Sequence, residues 1–152
     1  MIELARPEHL KPLVQLCYEY YQISPQREII EFDSDVCMDF LRRAMIVPTQ
    51  HLLVYTYGGE PQGGCLAYLS PYAFNTKNRC HLEYLFVRES HRQEHADCTG
   101  GRDLVQAVEQ WAREHNVAEI SSGDIGFDVE HIQRFFESQG YSYTGACVTK
   151  RL

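Results

Sequence analysis

The sequence predicts a mixed α/β domain, and three stretches predict it. Cys80 to His115 reads as strand, glycine turn and helix. Two short apolar runs, Leu52 to Tyr57 and Gly64 to Leu69, flank Gly58-Gly59-Glu60-Pro61, and Val117 to Ser121 follows the helix as a further strand. A strand, a crossover helix and a second strand form a parallel, right-handed unit, whereas two apolar runs joined by a Gly/Pro turn form an antiparallel hairpin. The sum is a central mixed sheet of about six to seven strands with about four helices, in one domain over residues 1–152.

In chain order, Ile2 to Ala5 alternates as an edge strand, and Arg6-Pro7 breaks it. Leu10, Leu13, Val14, Cys17 and Tyr20 or Tyr21 recur at helical spacing from His9 to Gln22, with Pro12 tolerated in the first turn. Ser34 or a neighbouring aspartate caps a second helix carrying Val36, Cys37, Phe40, Leu41 and Ala44, before Pro48. In the central strand Leu82, Tyr84 and Phe86 alternate with His81, Glu83, Leu85 and Val87, a run apolar enough to be covered on both faces. The helix after it turns Leu104, Ala107, Val108, Trp111, Ala112 and His115 to the sheet. A fourth helix begins at Asp128, packs Ile132, Phe135 and Phe136, and stops at Gly140. Tyr141 to Leu152 closes the chain as one bent strand or two stubs turning at Thr144-Gly145.

At 152 residues, with 44% hydrophobic and 12% aromatic side chains, the chain can bury a sizeable core. No apolar run approaches the ~20 residues of a membrane span and no signal peptide is evident, so a cytoplasmic protein is expected. Six cysteines in apolar stretches read as buried free thiols. Fourteen basic against twenty-one acidic side chains, a net charge of −7, disfavour nucleic acid or an anionic membrane as partners and suit a cationic amine.

Gly100-Gly101 stands at a helix start, where glycine is less usual than at a helix end. Bare backbone there leaves amides unpaired in front of the positive end of the helix dipole, a cradle for a diphosphate, and Arg102 adds charge beside it. The alternative is a flexible loop tip. His81 and Glu83 are polar where a buried strand should be apolar. They read either as a proton-accepting site or as a satisfied hydrogen-bonded pair near a sheet end. His91, His95 and Cys98, with Cys80 or His81, have a spacing open to zinc, but solvated loop histidines explain them as well, and no metal is expected.

Leu85-Phe86-Val87, then His91-Arg92, Gly100-Gly101-Arg102 and the stretch from Asp128 to Tyr141 (DVEHIQRFFESQGY) resemble the acetyl-CoA-binding core of the GNAT acetyltransferase superfamily. The resemblance implies acetyl-CoA as acyl donor and a primary amine, on a small molecule or a protein, as acceptor. It implies a splay between the fourth and fifth strands, in which the backbone of Leu85, Phe86 and Val87 holds the pantetheine arm. The N–H of Phe86 or Val87 would polarise the thioester carbonyl. Arg92, Gly100, Gly101, Arg102, Asp128 and Phe136 fall at cofactor-binding positions, and His81 and Glu83 at those of the catalytic base. Two departures stand out: Gln93 to Thr99 interrupts the turn, and Phe136 replaces the tyrosine that family members use as an acid. A non-catalytic acyl-CoA-binding or interaction module on the same scaffold is therefore the alternative. The short C-terminal strand points to completion by a partner subunit, in a homodimer.

Overall fold

A computed structural model of the chain describes residues 1–123 and 129–143. The elements run β1 (Ile2–Leu4), α1 (Leu10–Gln22), α2 (Ser34–Ala44), β2 (Gln50–Tyr57), β3 (Glu60–Pro71), β4 (Asn78–Val87), α3 (Glu89–Glu94), α4 (Gly100–Glu114), β5 (Val117–Ser122) and α5 (Val129–Ser138), with short 3-10 turns at Pro7–His9 and Pro25–Glu28. Among the described residues the sheet order follows the chain, β1-β2-β3-β4-β5, and only β4 and β5 run parallel.

Each early element carries the device its sequence called for. Asp33 caps α2, its carboxylate accepting from the amides of Asp35 and Val36 at 2.9 and 3.0 Å. The hairpin turn is shorter than the four residues expected. Gly58 and Gly59 hold φ of 59° and 85° and close a two-residue turn, so Glu60 and Pro61 belong to β3. Gly140, at φ 88°, stands just past α5.

Two apolar cores sandwich the sheet. Alternation along β2 sends Leu52 and Val54 to one face, where Leu13 and Leu16 of α1, Leu41 and Ala44 of α2, and Leu66 meet them. Leu53 and Tyr55 point the other way, onto Cys65, Ala67, Cys80, Leu82 and the Leu104, Val105, Val108, Trp111 and Ala112 stripe of α4. Phe135 and Phe136 of α5 join that second core.

The described residues hold five strands rather than six or seven, and five α-helices rather than four. The extra helix is α3, where the sequence suggested only an interrupted turn. The expected terminal strand beyond Tyr143, like Asp128 and Cys147, lies outside the described residues. The other five cysteines are free thiols, but only Cys65 and Cys80 are buried as expected; Cys17, Cys37 and Cys98 are half-buried. Among the described residues no helix is long and apolar enough to cross a membrane.

Candidate active site

The site is built on an irregularity in β4. Its register against β3 shifts between Leu66 and Ala67: Tyr84 faces Leu66, Leu82 faces Ala67, and Glu83 is the additional residue between them. Simple alternation therefore fails across Glu83. Cys80, Leu82, Leu85 and Val87 pack toward α4, whereas Tyr84 and Phe86 pack toward α1 and α2. The bulge leaves His81 and Glu83 together: His81 Nε2 lies 3.6 Å from Glu83 Oε2, and His81 Nδ1 lies 3.0 Å from the Ser121 hydroxyl.

The parallel pairing of β4 with β5 runs from Asn78–Val117 to Leu82–Ser122 and ends there. β5 itself ends at Ser122, so Glu83 to Val87 runs on without a partner on β5 among the described residues, and this open edge of β4 is the fork. Which backbone groups face the gap follows from the other edge. The Arg88 amide donates to Gln62 O at 2.8 Å, and antiparallel neighbours alternate between hydrogen-bonded and non-bonded pairs. Phe86, opposite Gly64, therefore turns its N–H to β3, and Leu85 and Val87 turn theirs outward. Of the two amides expected to polarise a carbonyl, that of Phe86 faces β3 and that of Val87 faces outward. The Val87 carbonyl is occupied, accepting from Arg92 Nε at 3.1 Å.

That contact places Arg92, on α3, against the end of β4. The segment after it is pinned rather than loose. His91 is buried and lies 3.2 Å from Tyr55 Oη through Nε2. His91, His95 and Tyr57 pack their rings at centroid distances of 4.5 to 4.9 Å. Burial, with the His95 charge next, pushes the His91 imidazole below its usual range, so it stays neutral at pH 7. Among the described residues no group of three His, Cys, Asp or Glu is arranged to hold a metal ion.

α4 opens at Gly100 without a side-chain cap, and the amides of Gly100, Gly101 and Arg102 have no acceptor among the described residues. The two glycines differ. A Cβ on Gly100 would lie 2.6 Å from the Tyr55 ring, so Gly100 is bare because the helix start rests on that ring. A Cβ on Gly101 would meet only Phe135, at an ordinary 3.5 Å. Arg102 is exposed beside them, and Thr99 Oγ1 donates to Asp103 at 2.8 Å.

Phe136 packs edge-on against Tyr141 at 5.3 Å. The Tyr141 hydroxyl is buried without a hydrogen-bond partner among the described residues. Burial first, and then the nearby Glu109 carboxylate, holds its phenol above the ordinary range. Tyr84 is turned away from the fork, its hydroxyl 3.6 Å from Cys17 Sγ, whereas Tyr143 is exposed.

Sequence reasoning missed three members of this region. Glu19 of α1 grips Arg88 through two contacts of 3.0 and 3.1 Å, and Arg88 also donates to Gln62. Tyr18, Glu19, Gln22, Phe86, Arg88 and Glu89 help line a cleft of about 370 Å³ on the α1 side of β4. Nothing local in the sequence pairs Glu19 with Arg88, 69 positions apart. Ser121 was legible only as a strand residue.

A five-stranded mixed sheet with one parallel pair, covered by helices on both faces, defines the class of the fold as mixed α/β. The family model described as Acetyltransferase (GNAT) family matches residues 8–141, and the chain belongs to that family. No curated protein sequence matches it. Among solved structures it is similar to a probable acetyltransferase, with 22% identity, coverage of 100% of this chain and 96% of the other, and TM-score 0.76. It is also similar to an aminoglycoside acetyltransferase from an uncultured soil metagenomic sample, with 16% identity, 100% and 94% coverage, and TM-score 0.75. A third is a ribosomal-protein-alanine N-acetyltransferase from Brucella melitensis biovar Abortus 2308, with 13% identity, 100% and 99% coverage, and TM-score 0.75. At these identities the likeness is one of fold.

Proposed function

We propose that this chain transfers an acetyl group from acetyl-CoA to a primary amine, with His81 and Glu83 as the base. The observation that supports the reading is the open edge of β4: it runs on past the end of β5 at Leu82–Ser122, and among the described residues the first amides of α4 have no acceptor. Acetyl-CoA, when bound, supplies the acyl group as an activated thioester. The chain's residues hold and orient it. The outward groups of Leu85 and Val87 take the amide-bearing arm as an added strand would. The amides of Gly100, Gly101 and Arg102, with the guanidinium of Arg102, take the diphosphate. Arg92 holds the Val87 carbonyl and so fixes the adjoining backbone. Asp128 and Phe136 remain assigned to the cofactor by the family resemblance.

The amine's body would sit in the cleft beside Phe86, whose volume of about 370 Å³ suits a small molecule or a chain end. The neighbours named for aminoglycosides and for ribosomal-protein alanine set the two acceptor kinds to try first. The test is release of CoA thiol from acetyl-CoA with aminoglycosides, polyamines and peptide N-termini; no release with any amine contradicts the reading. The alternative, an acyl-CoA-binding module without catalysis, is favoured by one observation. Phe136 offers no proton, and the nearby Tyr141 hydroxyl is buried. Calorimetric binding of acetyl-CoA without turnover would select it.

A further inference from the structure

Where β5 ends beside β4, three polar side chains stand in a row, the first two hydrogen-bonded and the third within ion-pair distance. Ser121 Oγ lies 3.0 Å from His81 Nδ1, and His81 Nε2 lies 3.6 Å from Glu83 Oε2. His81 and Ser121 are register partners, one rung before pairing ends at Leu82–Ser122. Tyr68, opposite His81 on β3, packs against the imidazole with ring centroids 5.2 Å apart. Three strands thus hold one ring: β3 by an aromatic face, β5 by a hydroxyl and β4 by a carboxylate.

The partners fix the ring's tautomer. A neutral imidazole has one N–H and one lone pair, and an ionised carboxylate only accepts. Glu83 facing Nε2 therefore favours the proton there, with the lone pair on Nδ1. Serine is able to donate or accept, and so it donates to Nδ1. In this arrangement His81 has no lone pair free for an incoming amine, because the Ser121 hydroxyl stands on it. A proton reaches His81 through Ser121.

We propose that Ser121 is a further catalytic residue, relaying the acceptor's proton to His81. The proposal rests on the acetyl-transfer reading and specifies how its base works. The ammonium N–H proton passes to Ser121 Oγ as the Oγ proton moves to His81 Nδ1. The products are a neutral amine able to attack, an intact serine hydroxyl and an imidazolium whose Nε2–H faces the Glu83 carboxylate. The side chains of His81 and Glu83 are 28% and 47% exposed, so the proton then leaves to water. Bulk at position 121 is tolerated in a half-open strand, which makes threonine the conservative replacement.

Two measurements test the relay. Nitrogen-15 NMR of the histidine rings, on the protein alone at pH 8, should find His81 with Nδ1 unprotonated and Nε2 protonated; the opposite tautomer overturns the proposal without any assay of activity. With an amine that the native protein acetylates, Ser121→Ala should lower kcat roughly 100-fold, the low end for a general base, and leave the KM for acetyl-CoA unchanged. Ser121→Thr should restore most of the rate. Full activity in Ser121→Ala overturns the relay alone, and an acetyl group found on Ser121 by mass spectrometry overturns it in favour of a serine nucleophile. Absence of turnover by the native protein with every amine defeats the acetyl-transfer reading, and the relay with it.

Discussion

Tyr55 and Gly100 are packed so closely that neither can grow: a Cβ on Gly100 would lie 2.6 Å from Tyr55 Cε1, and the Tyr55 hydroxyl is anchored 3.2 Å from His91 Nε2. Because the ring is held at its far end, it cannot swing aside. Gly100→Ala should therefore destabilise the fold by about 1–3 kcal/mol through overpacking. Gly101→Ala should be neutral, or stabilising by up to ~1 kcal/mol, since alanine is the better helix former. Urea unfolding midpoints check both, and equal midpoints would contradict the packing account. Tyr55→Leu combined with Gly100→Ala should recover part of the loss, because residues in contact do not act independently.

The base is tested at its two polar residues. Glu83→Gln and His81→Gln should each lower kcat on the order of 100-fold or more while leaving acetyl-CoA affinity unchanged. Steady-state kinetics beside calorimetry separates the two quantities. Wild-type rates in both variants would remove this pair from the chemistry.

Acid stability should depend on His51, which stacks on Trp111 at 4.5 Å with the planes 3° apart. Burial pushes its imidazole down to about 4, with the His115 charge adding to the effect and Glu114 opposing it. An unfolded histidine titrates near 6.5, so between pH 6.5 and 4 the unfolded chain binds a proton that the folded chain does not. Stability is then complete above about pH 6.5 and falls as pH drops toward 4. Thermal unfolding at pH 7 and pH 5 should show a larger drop in Tm for the native protein than for His51→Gln. Parallel losses would place the acid sensitivity elsewhere.

Most of the fold was legible because its signals are local. The α4 stripe, the Asp33 cap, the Gly58-Gly59 turn and the parallel β5 each follow from residues within a few positions of one another. The fork's chemistry was half legible: His81 and Glu83 stood out as polar residues in an apolar strand. The bulge at Glu83 did not, because it exists only in register with β3, and it reassigns Tyr84 and Phe86 to the α1 face. The packing reason for a glycine at position 100 was not legible either, since its neighbour Tyr55 arrives from β2. Arg88, Glu19 and Ser121 likewise gain meaning only across strands and helices.

Tyr141 offers a test of a buried polar atom. Its hydroxyl has no partner among the described residues, so Tyr141→Phe should leave stability unchanged or raise it by about 1 kcal/mol. A loss above about 1 kcal/mol in urea unfolding would mean that the hydroxyl is satisfied after all.

Acetyl-CoA binding by calorimetry, comparing the native protein with Gly101→Asp, tests the fork and the α4 mouth most directly. Gly101 has room for a side chain, so the variant should fold, while its carboxylate repels a diphosphate at the helix start. The account predicts one acetyl-CoA per native chain and binding weakened by about tenfold or more in the variant, the cost of roughly 1.4 kcal/mol. No binding by the native protein, or equal affinity in the two, would contradict it.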